Sequence, residues 1–573
     1  MHDVGMYVAT IPNRGSRPTI IIREGYRENG KVKNRTVANI THLPPEQIEA
    51  LRLVFKGKRV AQVDELFEKL ESKLHGHVNA VLSVVSRLGL DKLISFKPCR
   101  ERDIIVAVIV ARICEPDSKL AMTRWWKDTT LPELLGLEGV TEDDIYEAMD
   151  WLLKRQRRIE KKLAKRHLSE GDLVLYDLTS SYFEGETCPL AARGKSRDRK
   201  RGTLQVNYGL VADRRGCPVA VSVFEGNTGD STTLLPQAER VRTNFGIEHL
   251  VLVGDRGMIS QKQIDVLRDI EGLDWITALK TGAIRKLIEG DALQMDLFDE
   301  KNLFELAHDD FPGERLVACR NPALARKRAH KRQSMLAATQ RELEKVRAMV
   351  ARGTLTGQDK IGVRVGKVVN KYKMAKHVAL EIRDDGFEFS FNEKSIAAET
   401  ALDGIYVIRT SVSKERMVAD EAVRSYKNLT AVERAFKSLK SIDLLVRPIR
   451  HRLEDRVRAH IFLCMLTYYV QRYMQEAWRP LLFADEDQEA KKSRDAVAPA
   501  KRSASAMAKV NHKTLDDGTE VHSFRTLLHH LATITRDRCC QHGDGDTSHT
   551  FSLDTKPNAK QQHALDLLAQ IPL

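Results

Sequence analysis

Three acidic residues stand where the sequence changes character, and together they form a donor set for hard-metal chemistry. Leu173-Val174-Leu175-Tyr176 is a short apolar run of buried-strand type that ends on Asp177. His249-Leu250-Val251-Leu252-Val253 is another, followed by Gly254-Asp255-Arg256-Gly257. Acids at the carboxyl ends of two neighbouring strands point into one cleft. Close carboxylates raise one another's pKa unless a divalent cation neutralises them, and oxygen donors without His or Cys favour Mg²⁺ or Mn²⁺ over zinc. A lone strand-end Asp often only caps the next helix, so the pair takes its weight from a third feature. Along Tyr426 to Lys440, residues Tyr426, Leu429, Glu433, Lys437 and Lys440 fall within an arc of about 80° at about 100° per residue. The stripe gathers an aromatic ring, a carboxylate and two ammonium groups, a mix that core packing would not select. A solvated Glu433–Lys437 pair at i, i+4 is the plainer alternative.

The elements that must position these residues read as follows. Residues 7–40 alternate like strands around Asn29-Gly30, a hairpin signal, and Leu43-Pro44-Pro45-Glu46 opens a helix. From Asn79 to His167 the pattern is helical, with a basic run at Lys154–Lys162. From Asp172 onward, strands Leu204–Val211 and Val219–Phe224, helix Leu234–Phe245, helix Gln261–Ile270 and strand Trp275–Leu279 join the two acid-bearing runs. That alternation predicts an α/β mixed sheet. The pattern breaks over 281–400, which holds a long basic helix from Pro322 and strands between His377 and Phe391, and resumes at Gly404–Thr410, so the middle reads as an insertion. Helices follow from about Ala419 to Lys440 and from Glu454 to Met474, then a charged, Ala/Ser-rich stretch of linker type.

Composition narrows the function classes. The 573 residues carry 93 Lys plus Arg against 79 Asp plus Glu, a net +14 that suits a polyanionic partner. A hydrophobic share of 42% excludes global disorder, and no apolar run approaches the roughly 18 residues of a membrane span. Eight scattered cysteines without a CxxC pair argue against a disulfide framework and for a reducing, cytoplasmic setting. Cys539-Cys540 with His542 are poorly spaced for tetrahedral zinc.

On these residues the chain resembles the Asp-Asp-Glu (DDE) transposases of bacterial insertion sequences, in the IS-four-like branch with a Tyr/Arg/Glu/Lys signature helix. The signature falls on Tyr426, Leu429, Glu433 and Lys440, with leucine where the family has Arg. The likeness extends to Val174-Leu175-Tyr176-Asp177-Leu178-Thr179-Ser180, Gly226-Asn227-Thr228-Gly229-Asp230, Gly254-Asp255-Arg256-Gly257-Met258, Arg447-Pro448-Ile449-Arg450-His451, Ala459-His460 and the Tyr26-Arg27 hairpin.

The resemblance implies an α/β fold: a ribonuclease H-like catalytic core with an inserted α+β region, preceded by a β-hairpin and a helical N-terminal DNA-binding region. The implied boundaries are 1–75 and 76–170 for the N-terminal parts, 171–280 with 401–483 for the core, and 281–400 for the insertion. A flexible linker at 484–520 and a C-terminal segment at 521–573 complete the chain. The implied function is a Mg²⁺-dependent polynucleotidyl transferase/nuclease that binds insertion-sequence ends and carries out strand cleavage and strand transfer. Asp177 would bridge two Mg²⁺ ions, with Mn²⁺ as a substitute, and Asp255 and Glu433 would each hold one. Tyr426, Lys437, Lys440 and Arg434 would contact DNA, as would the basic helices from Pro322 and up to His167. Trp275 is read as core or as a base-stacking platform, and His451 and His460 as packed or phosphate-facing, with metal ligation the alternative. The implied partners are double-stranded DNA, as terminal inverted repeats and target, and a second copy of the chain in a homodimer, with nucleoid-associated cytoplasmic location and no membrane. A nuclease without strand transfer and an inactive DNA-binding descendant, which Leu429 keeps in play, are the alternatives.

Overall fold

The computed structural model describes residues 5–58, 67–200, 202–294, 297–485, 495–498, 501–541 and 550–572. The chain divides into two compact units, residues 1–73 with 535–556, and 74–534 with 557–573.

In the first unit, Met6–Ile11, Thr19–Glu28 and Lys31–Asn39 form an antiparallel sheet. Asn29 and Gly30 both take positive φ, 48° and 79°, the conformation a two-residue type I′ hairpin turn requires. A second sheet orders Thr550–Asp554, Thr535–Gln541 and Phe67–Leu74. The segment expected at 521–573 is thereby divided: its strands pair in this unit, while helices Phe524–Ala532 and Ala559–Ala569 belong to the second. Cys539 and Cys540 lie in the strand ladder opposite Phe551 and Thr550, and His542 lies outside the described residues.

The second unit opens with helices packed about Arg100–Cys114, whose run Ile104–Ala111 is buried on every side, as an all-round apolar helix must be. Its centre is an eight-stranded mixed sheet. In chain order the strands are β1 (Leu173–Tyr182), β2 (Gln205–Ala212), β3 (Pro218–Glu225), β4 (Leu250–Val253), β5 (Leu273–Ala278), β6 (Leu303–Leu306), β7 (Arg315–Arg320) and β8 (Ile405–Thr410). In space they run β6-β7-β8-β5-β4-β1-β2-β3. β4 is parallel to β1 and to β5, and the other neighbours are antiparallel. Every residue of β2 is buried, the mark of a strand covered on both faces. Among the described residues no helix is long and apolar enough to cross a membrane.

Four details depart from the sequence reading. β1 continues through Asp177 to Tyr182, because Thr179, Ser180 and Ser181 are small enough to be buried in its ladder with β2. Part of 281–400 is not inserted: β6 and β7 extend the main sheet beyond β8, drawn in by the fully buried run Leu316–Cys319. What stands apart is helix Pro322–Ala351, helix Gln358–Tyr372 and a hairpin of Val378–Ile382 with Phe387–Phe391, which share a core of their own. The expected linker at 484–520 contains helix Ala504–His512, capped by Ser503; residues 486–494 and 499–500 lie outside the described residues. The helix expected from Ala419 to Lys440 is two, α1 (Ala419–Lys427) and α2 (Leu429–Lys437), and ends in a π-helical turn at Ser438–Ile442.

Candidate active site

The register of the sheet brings the two aspartates together. The last paired positions of parallel β1 and β4 are Leu175 and Val253, and two residues further along each chain stand Asp177 and Asp255. Asp255 leaves the strand in a tight turn in which its Oδ1 accepts the N–H groups of Gly257 and Met258, both at 2.8 Å. Asp177 Oδ1 accepts the N–H of Leu178 at 2.8 Å. Helix α2 lies across β1 and is seated by Phe436, edge-on to Tyr208 at 5.9 Å. Ala431 fits because residue 216 is glycine: a Cβ there would come within 2.5 Å of the alanine's own. This seating leaves Glu433 exposed on the free side of α2.

The three acids share one electrostatic field. Burial foremost, then the charges of Asp255 and Glu433, push the Asp177 carboxyl up from 3.8 to about 7, against the Leu178 hydrogen bond and the Arg197 charge. A carboxyl group raised in this way is one that a divalent cation relieves, and a set of three carboxylates fits a hard cation with oxygen preference. The donor atoms of the three do not all lie within 4.8 Å of one another. Among the described residues the set whose donor atoms all lie within that distance is His167, Asp213 and Cys217.

The signature residues divide. Tyr426 lies in the field of all three acids, and burial followed by the Asp255 charge pushes its hydroxyl up to about 12. Glu433, Arg434 and Lys437 are exposed on α2. Lys440 is not on that stripe. The π-helical turn carries it inward, where it is 8% exposed and its Nζ meets Asp198 Oδ1 at 3.0 Å. Leu429 is buried in the main core, so the position that departs from the signature is a packing position. Trp275 is a core residue, 2% exposed, with its indole N–H 3.3 Å from Glu314 Oε2. His460 is buried against the Val446 carbonyl at 3.1 Å, with its ring tilted against that of His451 at 4.9 Å between centroids.

The basic helix Gln156–His167 spends part of its charge internally and keeps Arg158, Lys161 and Lys165 exposed. Lys162 and Arg166 donate to the carbonyls of Leu93 and Leu88 at 3.1 and 2.8 Å, and Arg157 donates to Asn244 at 2.6 Å. In the helix from Pro322, Arg332 grips Asp403 with both terminal nitrogens, while Arg326, Lys327 and Lys331 stay exposed.

Sequence reasoning passes over Arg197 and Asp198, and quotes Asp230 only within the Gly226–Asp230 motif, without a role. Arg197 lies close enough to Asp177 to oppose its rise in pKa and donates to Asp230 Oδ1 at 2.5 Å. Asp198 accepts from the Tyr182 N–H at 2.9 Å and is the shared partner of Lys440 and Arg447. The available signal was the charge run from Arg193 to Lys200 between two strands.

Residues 169–470, over half of the sequence, match the family model described as the transposase DDE domain. Residues 8–65 match the N-terminal domain of the IS1634 family transposases. Among solved structures the chain is similar to a piggyBac transposase synaptic complex with hairpin DNA, at 8% identity over 79% of this chain and 77% of that one, with a TM-score of 0.35. No curated protein matches the chain. With the DDE domain on its acid-bearing sheet and the IS1634-type domain ahead of it, the chain belongs to the DDE transposases of bacterial insertion sequences, IS1634 type.

Proposed function

We propose that this transposase cuts the ends of its own insertion sequence and joins them to target DNA, on a ribonuclease H-like core with Mg²⁺ held by Asp177, Asp255 and Glu433. The observation that carries the reading is the placement of Asp177 and Asp255 each two residues beyond the last paired positions of two parallel strands, under a helix that presents Glu433 to the same field. The strand order β3-β2-β1-β4-β5, an antiparallel meander followed by two parallel strands, is the order expected of a ribonuclease H-like core. Asp177, which feels both other acids, is the ligand suited to be shared; Asp255 and Glu433 flank it.

When bound, the divalent ions lower the pKa of the attacking hydroxyl and neutralise charge on the leaving oxygen. The chain's own residues do the rest. The Gly257 and Met258 N–H groups fix the Asp255 carboxylate. Tyr426 keeps its proton at neutral pH and is therefore a donor to a phosphate oxygen. Lys437 and Arg434, exposed beside Glu433, supply positive charge along the strand. Lys440 is withdrawn from that role by Asp198. In the first transfer a water oxygen bonds to phosphorus and the P–O3′ bond breaks, leaving a 3′-hydroxyl and a 5′-phosphate. In the second, that 3′-hydroxyl attacks a target phosphorus and displaces a target 3′-oxygen. Phosphodiester is exchanged for phosphodiester in the second step, so no nucleotide cofactor is required. Two element ends must be held together, and a homodimer is the simplest assembly that holds them.

The test uses duplexes cut from the DNA on either side of the gene, with Mg²⁺ and a supercoiled target plasmid. Nicked ends together with end–plasmid joints are the expected products. Nicks alone from pre-cut ends would make the protein a nuclease, and binding without cleavage in Mg²⁺ or Mn²⁺ would make it a DNA-binding descendant.

A further inference from the structure

Residues 193–200, Arg-Gly-Lys-Ser-Arg-Asp-Arg-Lys, lie between β1 and β2 and are tied down along their length. Gly194 is packed against the chain at Gly226, where any Cβ would fall 2.1 Å from the Gly226 carbonyl oxygen and 2.7 Å from Gln205 Nε2. The Arg197 N–H donates to Ser180 Oγ at 3.0 Å, and its guanidinium donates to Asp230. Asp198 takes the Tyr182 N–H on one oxygen and the cations of Lys440 and Arg447 on the other. Ser180 and Tyr182 are on the same strand as Asp177, three and five residues beyond it. Two features the sequence singled out, Gly226–Asp230 and Lys440, thus meet on one loop.

The charge on this loop is arranged in a particular way. Its single acid is 2% exposed at the side chain and held by two cations from outside the loop. Arg193, Lys195 and Arg199 are exposed and form no ion pair with another described residue, and Lys200 lies 3.5 Å above the Tyr182 ring. The acid that would neutralise the loop is turned away from solvent, and the cations are turned towards it. Leu429, buried, leaves the neighbouring helix one cation short of its signature.

We propose that residues 193–200 form a clamp for DNA phosphates beside the three acids, suspended from Asp198 by Lys440 and Arg447, with Arg193, Lys195, Arg199 and Lys200 as the gripping groups. Lys440 is then a positioning residue that acts on DNA through Asp198, and Gly226 and Asp230 shape the seat of the loop. The proposal rests on the transposase reading above, and the experiment separates the two.

Affinity for a flank-derived duplex is measured by fluorescence anisotropy across a salt series, with cleavage followed in parallel. In this plot log K falls with log salt by about 0.9 per phosphate contact. The triple variant R193Q/K195Q/R199Q removes only exposed groups and should melt at the wild-type temperature. Its slope should be shallower by about 2 to 3, with binding at least tenfold weaker. Asp198→Asn provides the sharper contrast. It adds one net positive charge, so a loop acting by charge alone would bind DNA more tightly; a clamp that has lost its suspension binds more weakly, with a shallower slope. Wild-type slope and affinity in the triple variant would overturn the clamp, and tighter binding by Asp198→Asn would overturn its suspension. If wild-type protein itself fails to cleave, the reading of function fails instead, whatever the slopes.

Discussion

Two clusters in the second unit hold groups able to bind metal, and they are built in opposite ways. His167, Asp213 and Cys217 lie within 4.8 Å of one another, yet each is already engaged. Asp213 accepts the N–H groups of Arg215 and Cys217, both at 2.8 Å, and the Arg215 Nε at 3.0 Å. His167 turns Nδ1 to Asp213 and Nε2 to the Tyr469 hydroxyl and the Cys217 thiol, so both ring nitrogens are already engaged. Arg215 sits on the carboxylate. The donor atoms of Asp177, Asp255 and Glu433 do not all come that close, but among the described residues no cation forms an ion pair with them as Arg215 does with Asp213, and their mutual repulsion is visible at Asp177. Closeness marks a satisfied polar network, whereas like charge gathered at a cost marks a site.

The largest expected effect tests that inference directly. Asp177→Asn, Asp255→Asn and Glu433→Gln keep the shape of each side chain and remove its charge. Charge stabilisation by bound metal amounts to several kcal/mol, and each 1.36 kcal/mol is tenfold in rate. Each variant should therefore cut a flank-derived duplex at least about 10³-fold more slowly, with no fall in its melting temperature. A variant that cuts at the wild-type rate removes that residue from the site.

The two clusters should also answer pH with opposite signs. The folded Asp177 carboxyl holds its proton up to about 7, against 3.8 ordinarily. Its contribution to stability is therefore greatest below about 3.8 and is lost as pH rises through 7. His167 is lowered from 6.5 to about 4, chiefly by burial; its contribution is present above 6.5 and is lost as pH falls through 4. In EDTA, Asp177→Asn should melt several degrees above wild type at pH 8 and level with it near pH 4, and excess Mg²⁺ should shrink the gap at pH 8. A gap that is constant with pH would break the contrast.

Sequence reading reached the acids because each carries a local signal: an apolar run into Asp177, another into Asp255, and a polar stripe through Glu433. It missed what is made by tertiary contact. Lys440 looked like a stripe residue at 100° per residue, but a π-helical turn changes the rotation, and its partner Asp198 is 242 positions away. Leu429 looked like a lost cation, although its apolarity alone implied burial. β6 and β7 were assigned to the insertion because the intervening helix Thr281–Glu289 and acidic stretch interrupt the pattern, yet Leu316–Cys319 is as apolar as any strand of the sheet. The helix Gln156–His167 and the loop Arg193–Lys200 are both strongly basic on paper. Contacts show that the helix gives Lys162 and Arg166 to backbone carbonyls and keeps Arg158, Lys161 and Lys165 exposed, whereas the loop ties Arg197 to Asp230 and exposes Arg193, Lys195 and Arg199.

The smallest effect is the most discriminating for the compact cluster. Cys217 is 1% exposed, and burial followed by the Asp213 charge pushes its thiol up to about 12, so it stays protonated and is a poor ligand at neutral pH. Cys217→Ala should leave Mg²⁺-dependent cleavage within about twofold, since a change in rate of that size is under 0.5 kcal/mol. Co²⁺ titrated into the wild-type protein should produce no thiolate-to-cobalt absorption band, because a metal would have to displace a proton from Cys217 and also displace Arg215 from Asp213. A band that appears in wild type and vanishes in Cys217→Ala would show that the network opens to metal, and closeness would then have been the better guide after all.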